Sequence, residues 1–215
     1  MISHEKKFIL VHVPRTGGTL VEARIGHYGI TLQGERNYAS LYFKHAFARD
    51  IRRMMGEAYD GYFKFSVVRN PWDWVVSNYA YNRGLHQCYV AGTRYEHRRT
   101  PGQIPDWAKD MAFEPWLRWW LDEFKPTQLA LLTDATGALL VDEVCRFETL
   151  REDLKRICLR LGLTPEARPS DTRSKDRSAD YREYYSERSR QWVAEQFRRE
   201  CERYGYSFDD FAKVV

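Results

Sequence analysis

The chain of 215 residues contains few cysteines and no long apolar run. Its four cysteines are widely spaced and form no C-x-x-C pair, so neither a disulfide framework nor a thiolate metal site is indicated. We expect free thiols that are mostly buried. No apolar stretch of about 18 residues is present to span a membrane, and the first residues show no signal-peptide pattern. These absences predict a cytoplasmic protein without a membrane span.

The chain also lacks a large excess of charge of either sign. A net charge of +4 favours anionic ligands but is too small to require nucleic acid, which we do not expect as a partner. Because domains typically run to about 100 to 200 residues, we expect residues 1–215 to form a single domain. Nothing in the sequence indicates an oligomeric state.

One stretch near the start has the order strand, glycine turn, helix. Phe8 to Val13 is an apolar run typical of a buried strand, and it stops at Pro14, which cannot donate a ladder hydrogen bond. Gly17 and Gly18 allow a tight bend and a close approach to a ligand, and the residues from Thr19 onward can begin a helix. The N–H groups at such a helix start attract anions. The turn also carries a permanent cation and two hydroxyls, on Arg15, Thr16 and Thr19.

This turn is not an ordinary nucleotide triphosphatase loop. The P-loop signature G-x-x-x-x-G-K-[ST] is absent, because no Lys follows the glycine pair and no glycine stands at the required upstream position. Taken alone, the stretch is equally compatible with a plain strand-to-helix turn.

A second strand-to-helix junction follows later in the chain. Tyr62 to Val68 is another candidate for a buried strand, and Asn70 before Pro71 is typical of an N-cap followed by proline at the first helical position. Arg69 therefore lies at the carboxyl end of the strand, where open α/β sheets bind ligands. Ser77 is expected on the face of the following helix that can meet a ligand. The alternatives are a surface salt bridge for Arg69 and a solvent-facing position for Ser77.

Pro14-Arg-Thr-Gly-Gly-Thr19 and Val68-Arg-Asn-Pro-Trp-Asp-Trp-Val-Val-Ser77 together resemble the two cofactor-binding segments of sulfotransferases that use 3′-phosphoadenosine 5′-phosphosulfate (PAPS), especially the carbohydrate type. The resemblance implies an α/β fold with three αβα layers, like the P-loop-containing nucleotide hydrolases, and a mostly parallel central sheet. It also implies that Arg69 and Ser77 hold the 3′-phosphate. The 5′-phosphosulfate would then be held by Arg15, Thr16, Gly17, Gly18, Thr19 and Leu20.

The resemblance implies roles for three further residues. His45, between the two segments and just before a predicted helix, matches a family histidine that takes the proton of the acceptor hydroxyl, and neutral imidazole suits that role. Ser174 and Lys175 match, in outline, a loop that closes over the cofactor. Arg15 is a departure, because many family members have Lys there. We expect Arg15 to act in catalysis through its charge, since it cannot give up a proton.

Patterns later in the chain predict scaffold elements. Gln128 to Thr133 is a strand-like run. Thr149 and Glu152 are typical of a capping box, before a helix that ends at Gly162. A single final helix is predicted from Ser186 to Tyr204.

The segment at about 83–112 is predicted to be an irregular insertion that shapes the acceptor pocket, although a solvated basic loop is an equal alternative. The sequence thus predicts a sulfotransferase that moves a sulfuryl group from PAPS to an acceptor hydroxyl, with a carbohydrate or another hydroxyl compound as acceptor and with no metal. Two alternatives remain: a small-molecule kinase of the same fold, and a non-catalytic module that binds an anionic polymer.

Overall fold

The computed structural model describes residues 1–31, 44–90, 111–125, 127–167, 178 and 180–210, with the backbone alone for 84–90. The chain folds into two compact units. The first unit holds Met1–Arg69 and Gln128–Thr172, and the second holds Asn70–Thr127 and Arg173–Lys213. In chain order the described helices are α1 Gly18–Ile25, α2 Ala48–Met55, α3 Pro71–Val90, α4 Phe113–Phe124, α5 Leu150–Leu161, α6 Glu187–Gln196 and α7 Arg198–Tyr204.

The first unit is built on a mixed sheet of four strands, and the α/β class predicted from the sequence is confirmed. The strands are β1 Ile2–Ser3, β2 Phe8–Val11, β3 Phe63–Val68 and β4 Glu143–Arg146. They lie in the order β1-β2-β3-β4; β1 runs antiparallel to β2, whereas β2, β3 and β4 run parallel. Every residue of β2 is buried, as expected for an apolar strand covered on both faces. The parallel β2 and β3 therefore end at the same edge of the sheet.

Helices α1 and α5 cover one hydrophobic core of this sheet. Val21 and Ile25 of α1 and Leu154 and Ile157 of α5 are buried there with strand residues such as Phe65. The apolar positions of both helices recur at the spacing of an amphipathic helix. As predicted, α5 ends at Gly162, which adopts the left-handed conformation of a C-cap. The core thus fixes α1, and with it the glycine turn, against the sheet.

Two local predictions for the first unit are wrong. The run Gln128–Thr133 was expected to form a strand, but Leu129–Leu131 form a 3-10 helix, because a short apolar run has no periodicity that separates strand from helix. The expected capping box at Thr149 is also absent. The Thr149 hydroxyl donates instead to the Asp153 carboxylate at 2.9 Å.

The second unit is helical in its described part, and aromatic side chains form its core. The ring of Trp74 on α3 contacts those of Trp120 and Phe197, and Tyr79 contacts Phe113 and Trp116. The segment 83–112 was expected to be irregular throughout, but α3 continues to Val90, so its first eight residues are helical. A single final helix was expected as well, but the helical run is divided into α6 and α7 at Phe197. No described helix is both long enough and apolar enough to cross a membrane.

Candidate active site

The glycine turn has a backbone that few residues can adopt. Gly17 precedes α1 with φ 89°, and Arg15 lies in the left-handed region with φ 63°. The Thr16 hydroxyl donates to the Val13 carbonyl oxygen at 2.8 Å, so this hydroxyl stabilises the turn itself. The predicted order of strand, glycine turn and helix is confirmed.

Neighbouring side chains leave no room for a larger residue at either glycine. A Cβ added to Gly17 would lie 2.6 Å from a Leu150 methyl carbon and 2.9 Å from the ring of Phe147. A Cβ added to Gly18 would overlap the His12 ring, 2.5 Å from Cε1 and closer still to Nε2. The backbone of the turn therefore packs directly on these groups, and only glycine fits there.

The start of α1 is suited to holding an anion. Gly17 carries no side chain that could cap the first N–H groups, and the first turn of α1 contains no acidic residue. The helix dipole adds partial positive charge at the same place. Thr19 is exposed in this first turn, whereas Leu20 packs against the hydrophobic core of the first unit. The predicted role of Leu20 at the phosphosulfate therefore fits its backbone N–H better than its side chain.

Arg69 contacts the glycine turn directly. It follows β3 and is 6% exposed, and its Nη1 donates to the carbonyl oxygen of Arg15 at 3.0 Å. Its guanidinium carbon also lies 4.1 Å from the centre of the Phe147 ring, a cation–π contact. The two strand-to-helix junctions singled out in the sequence therefore meet at Arg69 and the turn. A buried guanidinium beside a helix N-terminus is an arrangement that attracts phosphate or sulfate.

Gln128 holds the backbone of Arg69 and was missed in the sequence. Its side chain is fully buried; its Oε1 accepts from the Arg69 N–H at 2.9 Å and its Nε2 donates to the Arg69 carbonyl at 2.8 Å. One amide side chain thus replaces the two backbone bonds that a further ladder residue would supply. No pattern signals this role, because Gln128 lies 59 positions away in the chain.

Ser77 lies on α3 in the second unit. The predicted start of this helix is confirmed, because the Asn70 side chain accepts from the Trp72 N–H at 3.1 Å and Pro71 is the first helical residue. Ser77 is 3% exposed, so the alternative of a solvent-facing serine is wrong. Its role as a phosphate ligand stays a prediction.

His45 lies at the end of β2, close to the glycine turn. Its Nδ1 donates to the His12 carbonyl oxygen at 3.1 Å, and the two imidazole rings meet edge to face with centres 4.7 Å apart. Burial, helped by the neighbouring His12, lowers the pKa of His45 to about 4. The imidazole is therefore neutral at physiological pH. With the proton on Nδ1, the lone pair is on Nε2, as a general base requires.

Three charged or titratable side chains near His45, of which His12 is buried and Glu22 and Lys44 are half-buried, were missed in the sequence. The His12 Nδ1 donates to Glu22 Oε1 at 3.2 Å, and the Lys44 Nζ donates to Glu22 Oε2 at 2.6 Å. Burial opposes ionisation of Glu22, but the hydrogen bonds from His12 and Lys44 outweigh it and lower its pKa to about 2. The available signal was the position of Glu22, one helical turn after Gly18 on the face towards β2.

Ser174 and Lys175 lie outside the described residues, as does most of the predicted acceptor segment. Among the described residues, no group of three or more His, Cys, Asp or Glu side chains is placed to hold a metal ion. The candidate site of the first unit thus consists of the glycine turn, Arg69 and His45 with their supporting side chains.

A scan against protein-family models matches residues 1–207 to the model described as the sulfotransferase family. A search of curated proteins and a search of solved structures each returned no match.

Proposed function

The chain belongs to the sulfotransferase family, and on that premise we propose that it moves a sulfuryl group from PAPS to the hydroxyl of an acceptor, most simply a carbohydrate. Membership of this family supports the conclusion that the chain is an enzyme that transfers sulfate. The donor and the acceptor are the parts that we propose.

The observation that carries the proposal is the contact between Arg69 and the glycine turn. The Nη1 bond to the Arg15 carbonyl brings a buried guanidinium beside the N-terminus of α1. PAPS carries a phosphosulfate and a separate phosphate on one nucleoside, so its recognition requires two neighbouring anion sites. We assign the phosphosulfate to the turn, at Arg15, Thr16, Gly17, Gly18, Thr19 and Leu20, and the 3′-phosphate to Arg69.

His45 is the proposed base. In the transfer, an acceptor oxygen attacks sulfur in line with the bond to the 5′-phosphate; the new S–O bond forms as the old one breaks, and Nε2 of His45 receives the hydroxyl proton. The electron pair of the broken bond leaves on the phosphate. Positioning and charge stabilisation then provide most of the rate, as in phosphoryl transfer.

Arg15 would stabilise the charge that develops on the leaving phosphate. It cannot pass on a proton as a lysine can, but a phosphate tolerates negative charge, so a fixed guanidinium suffices. Three further ligand roles, for Ser77, Ser174 and Lys175, belong to the same proposal and rest on the sequence resemblance. So does the finer fold assignment, a three-layer P-loop-like domain with a mostly parallel sheet and an acceptor insertion at about 83–112.

A thermal-shift panel tests the proposal. A ligand that binds only the folded state raises the melting temperature. At a free ligand concentration of a hundred times its Kd, it adds about 2.7 kcal/mol to the free energy of unfolding. We expect stabilisation by 3′-phosphoadenosine 5′-phosphate in metal-free buffer, and none by ATP with Mg²⁺. The reverse pattern would identify a kinase. A response to heparin that falls steeply with salt, with none to either nucleotide, would identify a polymer-binding module.

A further inference from the structure

Four residues, the proposed base His45 among them, form a closed ring of contacts. His45 donates to the backbone of His12, the His12 ring donates to Glu22, Lys44 donates to Glu22, and Lys44 precedes His45 in the chain. The ring joins the end of β2, the first helix and the segment that carries His45. Within this ring, Glu22 accepts side-chain bonds from two of the other members.

Glu22 is a carboxylate that its surroundings hold firmly. Its side chain is 12% exposed, and each of its oxygens accepts a bond from a different partner. Such charge-assisted hydrogen bonds are shorter and stronger than neutral ones, and they stabilise most where water is excluded. The carboxylate can therefore fix the positions of both partners.

Both partners determine where the His45 ring lies. Its Nδ1 proton is held by the carbonyl oxygen of His12, whose own ring is anchored on Glu22, and the edge-to-face contact of the two rings limits rotation. The preceding residue, Lys44, is anchored on the same carboxylate from the other side. Glu22 therefore holds His45 at two points: at the ring, through His12, and at the backbone, through Lys44.

We propose that Glu22 is a positioning residue for His45, which keeps the imidazole as the Nδ1–H tautomer, the form in which Nε2 carries the lone pair of the proposed base. Nothing in the sulfotransferase resemblance assigns this role to a residue of α1. The inference rests on the proposed function for the meaning of His45 as a base, but the tautomer itself can be measured without substrate.

The test reads the tautomer from two-bond ¹H–¹⁵N correlation spectra of protein labelled at histidine nitrogens, near neutral pH. His45→Gln identifies the His45 signals. In the wild-type protein we expect His45 as a single Nδ1–H form, and in Glu22→Ala a mixture of tautomers. Lys44→Met removes the bond of a partly exposed side chain while keeping the His12–Glu22 pair, and it should shift His45 in the same direction if Glu22→Ala does not fold.

Glu166→Ala is the matched control. Glu166 also pairs with a histidine, with its Oε1 3.4 Å from His27 Nδ1, but that pair is not part of the ring around His45. This variant should leave the His45 signals unchanged. The proposal is overturned if wild-type His45 is not the Nδ1–H form, or if His45 keeps a single Nδ1–H form in Lys44→Met and in any folded Glu22→Ala.

Titration of the same samples with 3′-phosphoadenosine 5′-phosphate separates this proposal from the proposed function. Wild-type protein that shows the expected tautomers but binds no such nucleotide would contradict the PAPS assignment and leave the positioning by Glu22 intact. Nucleotide binding with unchanged His45 tautomers in the variants would contradict the positioning by Glu22 and leave the PAPS assignment intact.

Discussion

Substitution of Gly18 by alanine tests whether the glycine turn packs as tightly as the structure shows. The added methyl group would occupy the position of the His12 ring, which is 4% exposed, bonded to Glu22 and packed against His45. A flexible surface side chain could move away at little cost, but this ring cannot move without breaking its bond to a carboxylate.

The expected cost combines two effects. Overpacking a well-packed site costs about 1 to 3 kcal/mol, and a hydrogen bond to a charged group contributes roughly 1.5 to 3 kcal/mol. If the ring moves only in part, we expect Gly18→Ala to lower the free energy of unfolding by about 3 kcal/mol. For a chain of this size, about 1 kcal/mol shifts the melting temperature by roughly 2 to 4 °C, so the loss should be about 6 to 12 °C.

Chemical denaturation of matched variants measures this effect. Gly26→Ala is the control, because its added Cβ would meet nothing closer than 3.9 Å, and we expect a change within about 0.5 kcal/mol. In His12→Ala/Gly18→Ala the clash is gone, so the double variant should lose at least about 1 kcal/mol less than the sum of the single variants. Equal stability of Gly18→Ala and Gly26→Ala, or strict additivity with His12→Ala, would refute the packing argument.

The other predictions concern catalysis, acid stability and the support of Arg69. Arg15→Ala should lower turnover of PAPS at least about tenfold in a radiolabel transfer assay, since a charge-assisted contact contributes roughly 1.5 to 3 kcal/mol; full turnover would remove Arg15 from the mechanism. His45→Ala should retain nucleotide binding by calorimetry while transfer collapses, and loss of binding would make His45 a structural residue. Because folding lowers the pKa of His45 from 6.5 to about 4, the folded state binds fewer protons in that window, and stability should fall as the pH drops through it. A series of melting temperatures against pH should be flatter in His45→Asn, and identical slopes would contradict the lowered pKa. Gln128→Leu leaves the Arg69 N–H and carbonyl buried without their amide partner and should cost about 2 kcal/mol or more in urea unfolding, whereas a neutral result would show that the clamp is dispensable.

Local patterns were sufficient to predict the elements that build the site. The apolar run before Pro14, the glycine pair and the Asn70-Pro71 cap each depend on residues adjacent in the chain, and each lies where expected. Gly162 is a further example, since a left-handed C-cap needs only the residue itself.

Contacts between distant positions could not be predicted in the same way. Gln128 was part of a predicted strand, yet its side chain bonds the backbone of Arg69, and Glu22 was one of two charged residues on a short helix. Their roles depend on which segments the fold places side by side. A buried amide and a solvated amide are identical in sequence, so only the packed structure distinguishes them.

The central claim is that Arg69 and the glycine turn recognise one nucleotide that carries phosphates on both the 3′ and the 5′ oxygen of its ribose. Calorimetry in metal-free buffer should show that the wild-type protein binds 3′-phosphoadenosine 5′-phosphate at least about tenfold more tightly than adenosine 5′-phosphate, since a charge-assisted contact of about 1.5 kcal/mol corresponds to that ratio. In Arg69→Ala the preference for the 3′-phosphate should disappear. Equal affinity of the wild-type protein for the two nucleotides, or no binding of either, would contradict the account.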